Sequence, residues 1–151
     1  MALPALKVLV SLGLKGLKVV PSLDTWKVTD PAADVSKETG NIHAGTYAGH
    51  YWLDKPFSFT LSQDIGSLDD GTYTMSAWMQ GVGGEKTLQL FATCGGVTVT
   101  ADAVNTGWQQ WTQPTISKFP VTGGKCTIGV KVDAPLNTWG FIDDFELTKV
   151  K

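Results

Sequence analysis

The sequence predicts an all-β fold, an antiparallel β-sandwich of the jelly-roll type. Three observations carry this. Apolar and polar residues alternate with period two in FSFTLSQDI (57–65) and TYTMSAWMQ (72–80), the pattern of strands with one buried face. Turn signals recur between short runs: Asp69-Asp70-Gly71, the loop GVGGE (81–85), Gly95-Gly96, Asn105-Thr106-Gly107 and Gly123-Gly124. No segment of ten or more residues carries a 3.6-residue period.

Taken in order, KVLVSL (7–12) alternates like a strand. It lies in an apolar opening segment broken by Lys7, Lys15 and Lys18. No uninterrupted apolar run there reaches the ~20 residues of a membrane span, and the late lysines do not make the charged head of a signal peptide. Residues 1–19 therefore read as an appendage and 20–151 as the folded module. In TYAGHYW (46–52), Tyr47 and Tyr51 share one face, and His50 and Trp52 the other. In 57–65, Phe57, Phe59, Leu61 and Gln63 share a face. In 72–80, Tyr73, Met75, Ala77 and Met79 point one way, and Thr74, Ser76, Trp78 and Gln80 the other. KTLQLFAT (86–93), VTVTA (97–101), WQQWTQPTI (108–116) and KCTIGVKVD (125–133) follow. GFIDDFELTKV (140–150) closes the chain. Nine or ten short strands at this spacing suit a sandwich.

Composition excludes some functions. With 151 residues, 42% hydrophobic and 17% charged, the chain can build one real core. Its net charge is −2, and all 12 of its basic residues are Lys. Phosphate surfaces lean on Arg forks and positive patches, so no nucleic-acid partner is expected, nor a membrane. Six Trp exceed what a small sandwich core takes, so some should lie on a surface where flat rings bind ligands. Cys94 and Cys126 have no CxxC spacing and no nearby His, which argues against zinc. A disulfide between them would fit a secreted protein; two buried free thiols are the alternative.

Catalysis has little support. Glycosidases need two carboxyls about 5–9.5 Å apart facing one substrate. Asp143 and Asp144 are strand neighbours and should point to opposite faces. Asp69 and Asp70 sit in a turn, and His43 and His50 have no nucleophile motif to serve. GVGGE is not followed by GK[ST]. Alternation places Asp143 with Phe141, Phe145 and Leu147 on the buried face, and Ile142, Asp144 and Glu146 on the other. A carboxylate buried in such company must be paired, hydrogen-bonded or bound to a cation. No Arg exists to pair it. Calcium, held by carboxylate and carbonyl oxygens, is the favoured reading, and capping by backbone N–H groups is the alternative. On the outward side, His50, Trp52, Trp78 and Gln80 would share one sheet face. That set suits a sugar, whose C–H faces stack on rings while polar groups bond its hydroxyls. The rival reading is an interaction domain whose aromatic face docks on another protein domain.

Several segments together resemble a known family: GNIHAGTYAGHYW, SFTLSQDI, GTYTMSAWMQGVGGE, NTGW, KCTIGV and NTWGFIDDFEL. From Asn41 to Val150 the chain resembles carbohydrate-binding modules of family 61, which accompany bacterial family 53 β-1,4-galactanases. The resemblance implies a jelly roll that binds β-1,4-galactan or galactooligosaccharides, has no catalytic activity of its own, and contains structural calcium. Trp52 and Trp78 would then be stacking platforms. His50, Gln80 and Glu85 would bond hydroxyls, and Asn137 and Trp139 would form a rim. At least one of Trp108 and Trp111 is assigned to the core. Such modules open with an Asn-Pro-Gly-Phe-Glu-like stretch, where this chain has VPSLD (20–24), so Asp24 stands where a calcium-ligating Glu is expected, with Asp143 as its partner. ALPALKVL (2–9) resembles the closing segment of a galactanase catalytic domain, which implies a module from a larger secreted enzyme. Axial O4 curves the galactan chain, so a curved or pocket-like site is expected, with a Kd of roughly micromolar to millimolar.

Overall fold

The structure is a computed structural model. It describes the backbone of residues 8–11, 17–20, 27–29, 34–38 and 48–150, and the side chains of residues 50–143 and 145–150. All of its regular elements are strands: β1 (Val8–Ser11), β2 (Leu17–Val20), β3 (Lys27–Thr29), β4 (Asp34–Glu38), β5 (Ala48–Trp52), β6 (Phe57–Ile65), β7 (Gly71–Gly81), β8 (Thr87–Cys94), β9 (Val97–Asp102), β10 (Gly107–Thr112), β11 (Thr115–Val121), β12 (Cys126–Ala134) and β13 (Trp139–Lys149).

They form two sheets. The first has the order β10-β7-β13-β1-β2, with β5 and then β4 joined to another stretch of β13, and β11 following β10 along β7. The second runs β3-β6-β12-β8-β9. All pairings are antiparallel except β1 on β13, which is parallel. The predicted antiparallel sandwich is the fold observed.

The period-two pattern decides which faces meet. Along β6, Phe57, Phe59, Leu61 and Ile65 are buried while Ser58 and Asp64 are exposed. Along β7, Tyr73, Met75, Ala77 and Met79 are all fully buried. These residues meet Leu88, Leu90, Ala92, Ile128, Val130 and Val132 of the second sheet in one core. Each large side chain buried this way stabilises the fold by about 1.5–3 kcal/mol. WQQWTQPTI is two strands, not one. Pro114 has no N–H for the ladder, and β10 and β11 pair with β7 on either side of it.

Cys94 and Cys126 stand directly opposite each other on β8 and β12, with Cα atoms 4.3 Å apart, and form a disulfide. The pair staples two strands whose order in the sheet is set by contacts far apart in sequence.

Candidate functional site

The outer face of the first sheet is built by register. Directly opposite residues of an antiparallel pair share a face. Trp139 of β13 lies opposite Trp52 of β5, and Phe141 opposite His50. On the other flank of β13, Phe141 lies opposite Gln80 of β7 and Asp143 opposite Trp78. One patch thus gathers His50, Trp52, Trp78, Gln80 and Trp139. Trp52 is 41% exposed, while Trp78, Trp139 and His50 are half-buried. The imidazole of His50 lies 4.7 Å from the Phe141 ring, and Trp139 meets the same ring nearly edge-on at 5.8 Å. These contacts set the rings in fixed orientations. Asn137 is exposed in the turn before Trp139, at φ 62°, with its N–H donating to Leu53 O at 2.8 Å.

Asp143 does not stand where alternation places it. The register between β13 and β7 shifts between Asp143 and Glu146, so two residues of β13 face the single residue Ala77. Such a bulge reverses the alternation beyond it. Ile142, Phe145 and Leu147 therefore enter the core, and Phe141 stays outside it. Asp143 belongs to the aromatic face, opposite Trp78, and is only 2% exposed there. The expectation that Asp143 shares the core face with Phe145 and Leu147 is corrected.

Two further corrections concern β7 and β10. Gln80 lies on the expected face but is 1% exposed, because β10 crosses it and the Gln109 N–H donates to its Oε1. Its acceptor holds β10 in place instead of facing solvent. Neither Trp108 nor Trp111 is in the core: Trp108 is 59% exposed and Trp111 half-buried. Trp108 directly precedes Gln109, whose N–H reaches Gln80 of the outer face, so it stands beside that face. The irregular WQQW run was the only sequence signal of this.

No family model matches the chain, and no curated protein matches it. Among solved structures, TmCBM61 in complex with β-1,4-galactotriose is similar, with TM-score 0.73 and 36% identity over 82% of this chain and 88% of that one. The chain belongs to carbohydrate-binding module family 61. Two more distant structures share the fold. The family 16 carbohydrate-binding module-2 has 18% identity, TM-score 0.59 and coverage of 81% and 89%. The CBM22-1 xylan-binding domain from Paenibacillus barcinonensis Xyn10C has 13% identity, TM-score 0.54 and coverage of 85% and 87%.

In this family 61 module, Glu85 is not on the aromatic face. Tyr51 points between the sheets, packing on Phe57 and Phe59. Its hydroxyl donates to Glu85 Oε2 at 3.2 Å. Asn105 Nδ2 donates to the same oxygen at 3.0 Å and to the Tyr51 hydroxyl at 3.2 Å. Two glycines make room. A Cβ on Gly140 would come 2.3 Å from the Tyr51 ring, and one on Gly81 would come 2.6 Å from Asn105 Nδ2. The cluster thus plugs the inner side of the sheet, and the sequence hid it because Asn105 reads as an ordinary turn residue.

Burial raises the Glu85 carboxyl above its ordinary 4.5, partly offset by the hydrogen bonds it accepts. Burial, and then the Glu85 charge, push the Tyr51 phenol well above 10. Glu85 Oε1 and Asn105 Oδ1 are buried and accept no hydrogen bond from the described residues. The sign of the pH dependence follows. Between 4.5 and the raised value the folded state binds more protons than the unfolded chain, so stability falls as pH rises through that window. Glu85→Gln keeps an acceptor for Tyr51 and Asn105 but does not titrate. Its melting temperature should exceed that of wild type at pH 7, and its melt should lose slope from pH 4.5 upward. Parallel melting-temperature profiles for the two proteins would refute this.

Calcium was expected at Asp24 and Asp143. Asp24 lies outside the described residues. Among those described, no three His, Cys, Asp or Glu side chains gather into a metal-sized group. Asp143 stands on the aromatic face and not in the sandwich core, yet it is buried there, so its carboxylate must still be paired, hydrogen-bonded or bound to a cation.

Proposed function

We propose that this family 61 module binds β-1,4-galactan and galactooligosaccharides without catalysing their cleavage, and serves to hold an appended secreted galactanase on its substrate. One observation carries the reading. Trp52, Trp139, His50 and Trp78 converge on a single sheet face, in a chain 36% identical to a module whose structure holds β-1,4-galactotriose. Exposed and half-buried indoles offer flat apolar surfaces to the C–H face of a pyranose. His50, and Asn137 at the rim, supply polar groups for its hydroxyls. The absence of a catalytic role rests on the lack of a nucleophile motif or a facing carboxyl pair in the sequence. Isothermal calorimetry with β-1,4-galactotetraose tests the reading. Heat of binding with a Kd of roughly micromolar to millimolar is expected, with no new reducing ends released from galactan. Absence of heat would refute it.

The disulfide suits the oxidising environment in which a secreted polysaccharide-degrading enzyme works. Structural calcium is a separate proposal, with Asp143 and Asp24 as candidate ligands. It predicts that a chelator lowers the melting temperature by several degrees and that added calcium restores it. An identical melt with and without chelator would remove the proposal.

A further inference from the structure

Trp108 is the most exposed aromatic side chain described, at 59%. It is not carried on a loose segment. Three residues before it, Asn105 is 4% exposed and fastened through Nδ2 to Glu85 and Tyr51. One residue after it, the Gln109 N–H is bonded to the buried Gln80 side chain, with Gln109 held at φ 62°. Further on, the Thr112 hydroxyl donates to Met79 O, and Gln113 Nε2 to Ser76 Oγ. Buried polar groups on both sides thus hold a large apolar ring in solvent. A rigid aromatic presented this way loses little entropy when it binds.

We propose that Trp108 is a second sugar-stacking platform, that Gln80 is the residue that positions it, and that together they extend the site across the sheet from β5 to β10. This rests on the galactan reading above. β5, β13, β7 and β10 are consecutive hydrogen-bonded neighbours. Three strand spacings put about 14 Å between Trp52 at one margin and Trp108 at the other. His50, Phe141 and Gln80 lie across the intervening row. A disaccharide seated on Trp52 does not reach Trp108, whereas a longer chain does. The irregular β10, which leaves the regular register between Gly107 and Thr112, supplies the non-planar margin that a curved galactan chain requires.

The test is calorimetry of wild type, Trp108→Ala, Gln80→Leu and Trp52→Ala with galactobiose and galactotetraose. Trp108→Ala should weaken tetraose at least about tenfold and biose less than twofold, with the melting temperature unchanged. Gln80→Leu, which removes the acceptor for Gln109, should show the same length-selective loss, and Gln80→Glu, which keeps an acceptor, should restore part of it. If wild type gives no heat with tetraose, the galactan reading fails and this inference with it. If wild type binds, Trp52→Ala binds far more weakly, and Trp108→Ala keeps tetraose affinity within twofold, only this inference is overturned. Equal loss on both sugars also overturns it. Should a variant fail to fold, oxidative footprinting of wild-type tryptophans provides a second readout: tetraose should protect Trp108 more than biose does. Equal oxidation with and without tetraose overturns the proposal.

Discussion

Trp52→Ala is expected to weaken binding of galactotetraose at least about thirtyfold while leaving the fold intact. The indole is 41% exposed and makes no part of the core cluster. Its loss should therefore move stability by no more than about 0.5 kcal/mol, the usual range for surface substitutions. Binding is another matter. Trp52 is the most accessible ring of the row formed with Trp139, His50 and Phe141, whose mutual contacts hold their planes fixed. Removing a rigid aromatic anchor from a small site typically costs 2 kcal/mol or more, about a thirtyfold loss. A site that starts near millimolar then falls below detection, and one that starts near micromolar falls to roughly tens of micromolar. Calorimetry paired with thermal melts checks both halves. Retained tetraose affinity would mean that the sugar sits elsewhere. A wild-type protein that gives no heat but sediments as a dimer, dissociated by this substitution, would favour the rival reading of a face that docks on protein.

Reducing the Cys94–Cys126 bond has the second large effect. The two residues are 32 apart in sequence. Closing a loop of that size removes chain entropy from the unfolded state equivalent to about 3.7 kcal/mol at 25 °C. In a chain of this length that corresponds to a fall in melting temperature of roughly 7–14 °C. Both cysteines are buried, so reduction should need partial unfolding and proceed slowly in native buffer. The measurement is a melt with and without excess phosphine reductant, with thiols counted after denaturation. An unchanged melt with two thiols titrated would contradict it. Sugar affinity at 25 °C should change little, because the bond joins β8 and β12 of the second sheet and the aromatic face belongs to the first.

Much of this site could be read in the chain. The alternation of TYTMSAWMQ separates Tyr73, Met75, Ala77 and Met79 from Trp78, and the structure buries the first four completely. AGHYW separates core-facing Tyr51 from Trp52 in the same way. These inferences hold because a regular strand has a period of two, and burial of one face leaves no freedom in the other.

The misreadings share one cause, which is irregular backbone. In FIDDFEL a bulge adds one residue, and every face assignment upstream of it reverses relative to those downstream. Phe141 and Asp143 were placed with Phe145 and Leu147 for that reason, and the ladder to β7 puts them on the opposite side. The bulge depends on the pairing of β13 with β7, some 70 residues away in the chain, and has no marker in the local pattern. In WQQWTQPTI, Gln109 adopts positive φ to meet Gln80. That brings Trp108 into solvent, buries an amide expected to be open, and leaves no tryptophan of that segment in the core. Glu85, expected among the hydroxyl-bonding groups, is held on the inner side of the sheet by Tyr51 and Asn105.

The chain by itself determined the fold class, the inner and outer faces of its regular strands, and Trp52 and Trp78 as outward rings, since these follow from period-two burial and local turn chemistry. Tertiary structure alone decided the orientation of Asp143, the burial of Gln80, the exposure of Trp108 and the pairing of Cys94 with Cys126. Each of these depends on which strands lie side by side, and that is set by packing of the whole core and not by any one segment.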